Sequence, residues 1–273
     1  MDAFLLFFEE MPVWMKAGWI VFCLSLFWIL EGYYRLVSFN YKKWKHASTN
    51  LSLLFFVMVI NAVFGIATAG VFLWLEDSQF GLLHLINAPV WVELLLAIVA
   101  LDLIAQYFVH FCLHQVQWMW RLHIVHHSDR HVDATTGTRH HPLDFLIREI
   151  FALVAVIIMG MPIAFYLFYR IISVLFTYWT HANISLPSWL DKGLSYIIVT
   201  PNMHKFHHHF EVPWTDSNYG NMLSIWDRLF GTFVYGNTKD IQYGLDIADH
   251  LPDESLGAQL GIPFNKSASK KNR

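Results

Sequence analysis

The chain has 273 residues, of which 56% are hydrophobic and only 14% are charged. Soluble proteins carry about 25% charged residues, so this composition predicts a membrane protein. The net charge of −3 excludes a strongly basic surface and argues against nucleic acid as a partner. Cys23 and Cys112 both lie in apolar segments and predict no disulfide framework. We also expect no cleavable signal peptide, because the first residues lack a basic stretch.

Three apolar segments, residues 17–30, 51–75 and 88–109, predict transmembrane helices. The second segment contains no charged residue and is long enough for a hydrocarbon core of about 30 Å. The loop before it is basic at residues 42–45, and the positive-inside rule places this loop in the cytoplasm. The third segment would therefore return His110 to the cytoplasmic side.

The third segment carries a polar stripe in which Asp102, Gln106, His110 and His114 follow one another at steps of four residues. Residues at this spacing share one face of a helix. Ionisable side chains inside a membrane span usually face a bundle interior or a functional cavity. Two roles stay open for Asp102, namely a hydrogen bond between helices and the orientation of a histidine ring.

Residues 145–180 are mostly apolar and predict a helical hairpin that turns near Pro162. A single straight helix would be strained at this proline, and it would leave His141 and His181 on opposite sides of the membrane. The hairpin returns both histidines to one side. Further along, Pro201 is typical of the first turn of a short helix.

Thirteen of the 16 histidines lie between His110 and His209. Many are three or four residues apart, which places them on one helix face, and imidazole binds iron, zinc and copper. His209 is left out because it lies on the far side of the helix from His207. The predicted metal ligands are His110, His114, His123, His126, His127, His141, His181, His204, His207 and His208.

Ten histidines are too many for one zinc ion, which takes three or four protein ligands, so the set indicates two metals. The Glu-x-x-His motifs of carboxylate-bridged di-iron bundles are not found. A pair of ions held by imidazole, with open positions, could activate O2, while the protein supplies geometry and access. Because the histidines follow apolar helices, an apolar substrate could reach them from the bilayer.

The histidine clusters, together with several shorter motifs, resemble the fatty acid hydroxylase / sterol desaturase superfamily of integral-membrane di-iron oxygenases. The shorter motifs are Arg139-x-His141-Pro142, His181-Ala-Asn183, Thr200-Pro201, Asp216-x-Asn218-Tyr219-Gly220 and Trp226-Asp227-x-Leu-Phe-Gly231. The resemblance covers about residues 95–235. The family pattern favours glutamate where this chain has Asp144. Besides Asp144, the residues expected to orient the ligands are Asp102, Arg139, Asn183, Asp216, Asn218 and Asp227.

The resemblance implies an all-α, multi-pass membrane bundle with a cytoplasmic histidine-rich helical cap. Residues 1–94 would form N-terminal transmembrane helices, residues 95–235 the catalytic domain, and residues 236–273 a C-terminal tail. The implied reaction is O2-dependent hydroxylation of a lipid C–H bond, with two iron ions that zinc could replace on isolation. Desaturation is the alternative outcome. The membrane would be the inner membrane in a bacterium or the endoplasmic reticulum in a eukaryote.

The resemblance also implies a separate electron donor of the cytochrome b5 or ferredoxin type, reduced ultimately by NAD(P)H. Three other classes of protein are weighed against this reading. A membrane zinc hydrolase would need a glutamate base within a cluster, as in His-Glu-x-x-His, and no cluster contains one. A bis-histidine haem carrier would need isolated histidines that face each other within the spans, whereas these histidines cluster at helix ends. The third class is a structural or metal-transport protein; transport would need ligands along a path across the bilayer, whereas these are expected on one side.

Overall fold

The computed structural model describes residues 2–211, 214–238, 241–245 and 255–265. Within these ranges the protein is all-α, and the only β-type pairings are isolated bridges. The helices are α1 (Asp2–Glu9), α2 (Val13–Tyr33), α3 (Lys43–Ser78), α4 (Val90–Asp102), α5 (Val109–Gln115), α6 (Gln117–His127), α7 (Pro142–Met159), α8 (Ile163–His181), α9 (Ser188–Leu194), α10 (Pro201–His207), α11 (Ile225–Leu229) and α12 (Leu256–Gly261).

Four helical stretches among the described residues are long and apolar enough to cross a membrane. They are Val13–Tyr33, Lys43–Leu85, Val90–Gln115 and Ile163–His181. The first three contain the predicted N-terminal spans, and the fourth contains the second limb of the predicted hairpin. The expected fold class, a multi-pass helical membrane bundle, is therefore confirmed.

The third span is not a uniform α-helix. Leu103–Phe108, between α4 and α5, forms a π-helical turn. Such turns rotate the residues that follow them and are frequent at functional sites. The turn directly precedes His110, so it helps to set the direction in which α5 presents its histidines.

The tip of the hairpin is fixed by two glycines in close contact. Gly160 ends α7 with a φ of 65°, and Gly81, in the loop after α3, has a φ of 123°. A Cβ atom on Gly81 would lie 2.3 Å from the backbone nitrogen of Gly160. Only glycine tolerates both the left-handed backbone and this approach. The chain reverses here, and α8 leads back toward the end of the bundle at which α7 begins.

The apolar core of the bundle lies where α3, α4, α7 and α8 meet. Its buried members include Phe72, Leu101, Val156, Phe165 and Tyr169. In a membrane this packing stabilises the bundle through dispersion contacts and not through removal of apolar surface from water. The core holds α4, α7 and α8 in fixed relative positions. Along the chain, α4 leads to His110, α7 follows His141 and α8 ends at His181.

The histidines lie in a helical cap at one end of the bundle. The 36 residues of α3 correspond to about 54 Å at the α-helical rise, more than a bilayer core requires, and its first turns extend into the cap. There, Nε2 of His46 lies 2.8 Å from Oδ1 of Asp129, and both side chains are buried. This contact fixes the cap to the bundle.

The predicted tail, residues 236–273, lies partly outside the described residues. Its described portion at residues 255–265 contains α12 and a 3-10 turn at Ile262–Phe264. Ile262 is buried against Trp120 and Ile124 of α6. This portion therefore covers the helix that carries the central histidine cluster.

Candidate metal centre

The histidine side chains form two groups, and the potential ligand atoms within each group all lie within 4.8 Å of one another. The first group is His110, His114, His123, His127 and His207. The second group is His126, His181, His204 and His208. All of these side chains are buried. Nine of the ten histidines expected from the sequence are therefore brought together, from α5, α6, α8 and α10.

Histidines that are adjacent in the sequence belong to different groups. Successive residues of an α-helix point about 100° apart, so His126 and His127 of α6 face different groups. His207 and His208, at the end of α10, divide in the same way. The two groups thus lie side by side and share the same two helices.

Five of the histidines place Nδ1 beside a hydrogen-bond acceptor. The pairs are His110 with Tyr219 O at 2.8 Å, His114 with Asp216 Oδ1 at 3.2 Å, His123 with Asp144 Oδ2 at 2.7 Å, His181 with Thr177 O at 2.7 Å, and His207 with Ser217 O at 2.6 Å. Because these oxygens only accept, Nδ1 carries the proton in each ring. Nε2 then keeps its lone pair, and the outer hydrogen bond fixes the ring, as is usual for metal-binding histidines.

The Nε2 atoms of neighbouring rings lie close together, and for one pair hydrogen bonding does not explain the distance. Those of His110 and His123 are 3.0 Å apart, and those of His181 and His204 are 2.9 Å apart. In the first pair both rings are protonated at Nδ1, so two lone pairs point at each other. Two nitrogens bound to one ion at about 2.1 Å and at right angles would be about 3.0 Å apart. The spacing therefore fits a shared cation.

Further nitrogens in the groups lack partners. Both ring nitrogens of His127 and of His208 are buried without a hydrogen-bond partner in the described parts of the chain. An unsatisfied buried polar atom costs about 1–3 kcal/mol, and a metal ion would satisfy these nitrogens. The donor set as a whole, nine imidazoles with converging lone pairs, fits two borderline metal ions.

The histidines of the cap are held in the neutral form that metals require. Burial, followed by the neighbouring histidines, holds the pKa of His127 and of His208 well below the usual range. Burial also lowers the pKa of His123 to about 4, although the Asp144 carboxylate opposes the shift. At neutral pH these rings are therefore uncharged and able to bind a metal ion.

The structure does not bring His141, the tenth expected ligand, into either group. Its Nδ1 accepts a hydrogen bond of 3.2 Å from the backbone N–H of Leu143 and caps α7. The preceding residue, His140, lies closer to the site, with its ring stacked on His126 at 4.4 Å between centroids. The backbone before Pro142 is extended, so adjacent side chains point in different directions and only one of the two histidines can face the site.

Two carboxylates touch the histidines directly, as expected for residues that orient ligands. Asp144 bonds His123, lies 3.5 Å from Nδ1 of His140, and accepts from Nε of Arg148 at 2.9 Å. Asp216 lies beside His114. His123, His140 and Asp144 converge like a third ligand set, but within it Asp144 is already hydrogen-bonded to His123.

Two other expected residues act on the loop that contacts the histidines. Asp227 accepts from the backbone N–H groups of Tyr219 and Gly220 at 2.7 and 2.9 Å. Asn218, with a φ of 52°, donates to the carbonyls of Met203 and Val234. The carbonyl of Tyr219 is thereby held beside His110.

The remaining three expected residues brace the scaffold. Asp102 accepts from Trp226 Nε1 at 2.9 Å and from Leu223 N at 3.1 Å, so its contacts support a role between segments and not the orientation of a histidine. Arg139 is buried and donates to Val125 O at 3.0 Å, near the C-terminal end of α6. Asn183 instead pairs its side chain with the backbone of Val37.

Sequence reasoning missed Lys205 and the backbone acceptors. The Lys205 ammonium group is buried and donates to the carbonyls of Val132 and His181. Its position between His204 and His207 was visible, but a lysine among ligands carries no sequence signal of its own. Backbone carbonyls carry none at all.

A cavity of about 200 Å³ extends from the histidines between α3, α7 and α8. Leu54, Val57 and Ala152 contribute to its apolar wall. Met58 also lines the cavity, yet it is 46% exposed on the outer surface of α3. The cavity therefore opens sideways, between helices. The histidines that reach it are His110, His126, His140, His181 and His204.

The fold and the site together define an integral membrane protein with a buried, histidine-rich centre beside a lateral cavity. Comparison with known families agrees with this class, because the family model for fatty acid hydroxylase matches residues 94–232, about half of the chain. The chain belongs to the fatty acid hydroxylase family. No solved structure matches it.

Two kinds of curated relative are similar to the chain. Ornithine lipid hydroxylase OlsE of Rhizobium tropici is 27% identical over 165 residues, which cover 60% of this chain and 48% of the relative. Alkylglycerol monooxygenase of Homo sapiens is 31% identical over 140 residues, covering 51% of this chain and 30% of the relative. The counterpart in Xenopus tropicalis is 32% identical over 142 residues, with the same coverage. The chain thus spans about half or less of the length of these relatives.

Proposed function

We propose that this chain is an O2-dependent lipid hydroxylase that holds two iron ions in its two histidine groups. The observation that carries the proposal is the pair of buried imidazole groups at one end of a cavity that opens between membrane helices. Membership of the fatty acid hydroxylase family supports it. The relatives are named as hydroxylases and monooxygenases, which favours hydroxylation over desaturation.

The proposed ligands divide between the two ions as the two groups do. The first ion would be held by His110, His114, His123, His127 and His207, and the second by His126, His181, His204 and His208. We leave His141 out of the set. Ligands made of neutral imidazole suit iron and also zinc, so we expect zinc to occupy the site in some preparations.

The residues of the chain would have three tasks in the reaction. Hydrogen bonds at Nδ1, including those from His114 to Asp216 and from His123 to Asp144, would keep five of the nine rings aimed at their ions. The cavity would hold the substrate carbon beside the histidines and exclude water. When bound, iron would supply the activation of O2. In the overall reaction, one oxygen atom enters the C–H bond, while the other leaves as water after two electrons and two protons arrive.

The substrate would be a lipid that enters from the bilayer through the opening beside Met58. O2 is the co-substrate. The electrons would come from a separate carrier of the cytochrome b5 or ferredoxin type, reduced by NAD(P)H. Such a donor would dock on the cap, since the histidines lie there.

We further propose that the cap faces the cytoplasm. The basic residues Lys42, Lys43 and Lys45 stand at the cap end of α3, whereas Glu76 and Asp77 stand at its other end. Positively charged loops remain preferentially on the cytoplasmic side. In a bacterium the membrane would be the inner membrane, and in a eukaryote the endoplasmic reticulum.

Isotopic labelling would test the proposed reaction. Cells that express the chain are grown under labelled O2, and their lipids are compared by mass spectrometry with those of cells that lack it. We expect lipids that have gained one labelled oxygen atom, and iron in the purified protein. A loss of two hydrogens without oxygen would identify a desaturase. A single zinc ion with hydrolytic turnover and no O2 uptake would contradict the proposal.

A further inference from the structure

An ion pair lies on the wall of the cavity, within the helical hairpin. A guanidinium nitrogen of Arg170, in α8, donates to Oε1 of Glu149, in α7. The hydroxyl of Tyr166 donates to Oε2 of the same carboxylate at 3.2 Å. All three residues line the cavity that reaches the histidines.

The pair is costly if it only joins two helices. Removing two charges from water costs several kcal/mol for each ion, and well-packed apolar residues can replace a buried ion pair without loss of stability. Ionisable groups inside a membrane span therefore point to function. An ion pair that only held two helices together would have both side chains buried, whereas the Arg170 side chain is 30% exposed and the Glu149 side chain only 3%.

Arg170 lines the cavity with only part of its hydrogen-bonding capacity used inside the protein. A guanidinium has five N–H donors, of which one donates to Glu149, and the Tyr166 hydroxyl also interacts with the guanidinium. The rings of Phe145 and Tyr166 lie 5.8 Å from the centre of the guanidinium and hold it in place. Each carboxylate oxygen of Glu149 already accepts a hydrogen bond and the side chain is only 3% exposed, so the group offered to a ligand is the guanidinium.

The charge of the pair selects the kind of group that would bind. Glu149 neutralises Arg170, so a carboxylate or phosphate would enter a cavity of low dielectric constant with an uncompensated charge. An uncharged oxygen acceptor, such as an ether, ester or hydroxyl, would accept from the free N–H groups without that cost.

The separation between the ion pair and the histidines determines which part of a bound lipid would reach the histidines. Arg170 and His181 both line the cavity from α8 and are eleven residues apart, which corresponds to about 16 Å along the helix. Ser173 and Thr177 line the cavity between them. A chain anchored at Arg170 would therefore pass along this wall and present a carbon well removed from its anchor to the metal groups.

We propose that Arg170, positioned by Glu149 and Tyr166, determines substrate specificity by binding an uncharged oxygen-bearing group of the lipid. This inference rests on the proposed function, because it concerns the substrate of that same site. It adds that the oxidised carbon is well removed from this polar group, because Arg170 and His181 are separated by about 16 Å of helix rise.

Equilibrium binding tests the inference without turnover. Radiolabelled monopalmitoylglycerol, palmitate and hexadecane serve as uncharged, anionic and apolar probes for the purified full chain in lipid nanodiscs. We expect monopalmitoylglycerol to bind at least about tenfold more tightly than either of the other probes, a difference of about 1.4 kcal/mol. Equal affinities for all three probes would overturn the inference.

Two variants test whether the Glu149–Arg170 ion pair causes the preference for monopalmitoylglycerol. The double variant Glu149→Leu/Arg170→Met keeps the helix contact apolar and should retain the apparent Tm, yet it should lose the preference for monopalmitoylglycerol. If the double variant does not fold, Arg170→Lys retains the charge pair but not the planar fork, and the preference should fall at least about threefold. A preference that persists in a folded double variant, or that is unchanged in Arg170→Lys, would show that the pair is only structural.

These outcomes are separable from failure of the proposed reaction. If the protein prefers monopalmitoylglycerol but adds no oxygen to any lipid, the binding role of Arg170 is supported and the proposed reaction is contradicted. Conversely, equal oxidation of hexadecane and monopalmitoylglycerol would support the proposed reaction and contradict the binding role of Arg170.

Discussion

The Nε2 atoms of His181 and His204 lie 2.9 Å apart. His181 is the last residue of a membrane-spanning helix, whereas His204 belongs to a short helix of the cap. Their contact joins the bundle to the cap at a point where both side chains are buried. An ion shared by these two rings would therefore stabilise the arrangement of the two parts.

Removal of a ligand should release metal without preventing insertion. We expect His204→Ala to lower the metal content of the purified protein to about one ion per chain and to abolish lipid oxidation, because the second group then keeps only three imidazoles. Metal content is measured by elemental analysis. His209→Ala is the matched control, since His209 is adjacent to His208 and outside both groups. Full metal occupancy in His204→Ala would refute the assignment of the second group.

The stability of the metal-free protein should decrease as the pH falls. Burial holds the pKa of His123 at about 4 in the folded chain, below the value of about 6.5 expected in the unfolded chain. The unfolded state therefore binds more protons between these values, and the free energy of unfolding declines as the pH falls from about 6.5 to about 4. His127 and His208 shift in the same direction.

The apparent Tm of chelator-treated protein, recorded across this pH range, measures the effect. Metal-loaded protein is the comparison and should release metal in the same range, because only neutral imidazole coordinates. A Tm that stays constant from pH 7 to pH 4 would contradict the buried neutral state of these rings.

Asp144→Asn should weaken metal binding while the fold is retained. The carboxylate accepts from Nδ1 of His123 at 2.7 Å, and its charge increases the basicity of the ring that binds the metal. Loss of such a partner typically lowers metal affinity about 10–100-fold, which chelator competition would measure. Asp102→Asn is the control, because Asp102 is equally buried but bonds Trp226 and Leu223. Equal losses of affinity in the two variants would indicate a general structural effect.

Gly160→Ala should destabilise the tip of the hairpin. The new Cβ would lie 2.1 Å from the carbonyl oxygen of Phe80, and the left-handed backbone adds further strain. Together these effects should lower the free energy of unfolding by about 2–4 kcal/mol. Gly65→Ala, in the interior of α3 with no atom within 4 Å of the new Cβ, is the control and should be neutral or stabilising. Equal unfolding midpoints for the two variants would contradict the close contact at this tip.

Local spacing was sufficient to predict eight of the nine histidines that the structure brings together, and the proline predicted the turn near Pro162; His181 was placed by the hairpin and by the family motif. The three-and-four spacing of the histidines is a property of one helix, and an interior proline breaks a helix whatever surrounds it. The choice between His140 and His141 could not be made in this way. It depends on the direction of an extended dipeptide that is set by the start of α7.

The division of the histidines into two groups could not be predicted from the sequence either. His126 and His127 belong to different groups, and which group each ring faces depends on how α6 is packed within the cap. The π-helical turn before His110 has no clear signature in Leu103–Phe108. The partners of several rings are backbone carbonyls, which every residue possesses.

The sharing of α6 and α10 between both groups has a mechanical consequence. Because His126 and His127, like His207 and His208, are bonded to each other through the backbone, a rotation of either helix that moves one ring away from its ion must also move a ring of the neighbouring group. Loading of one ion should therefore lock both helices in the register needed by the second. In the unsubstituted chain, the two ions would then bind cooperatively, and half-occupied chains would be scarce.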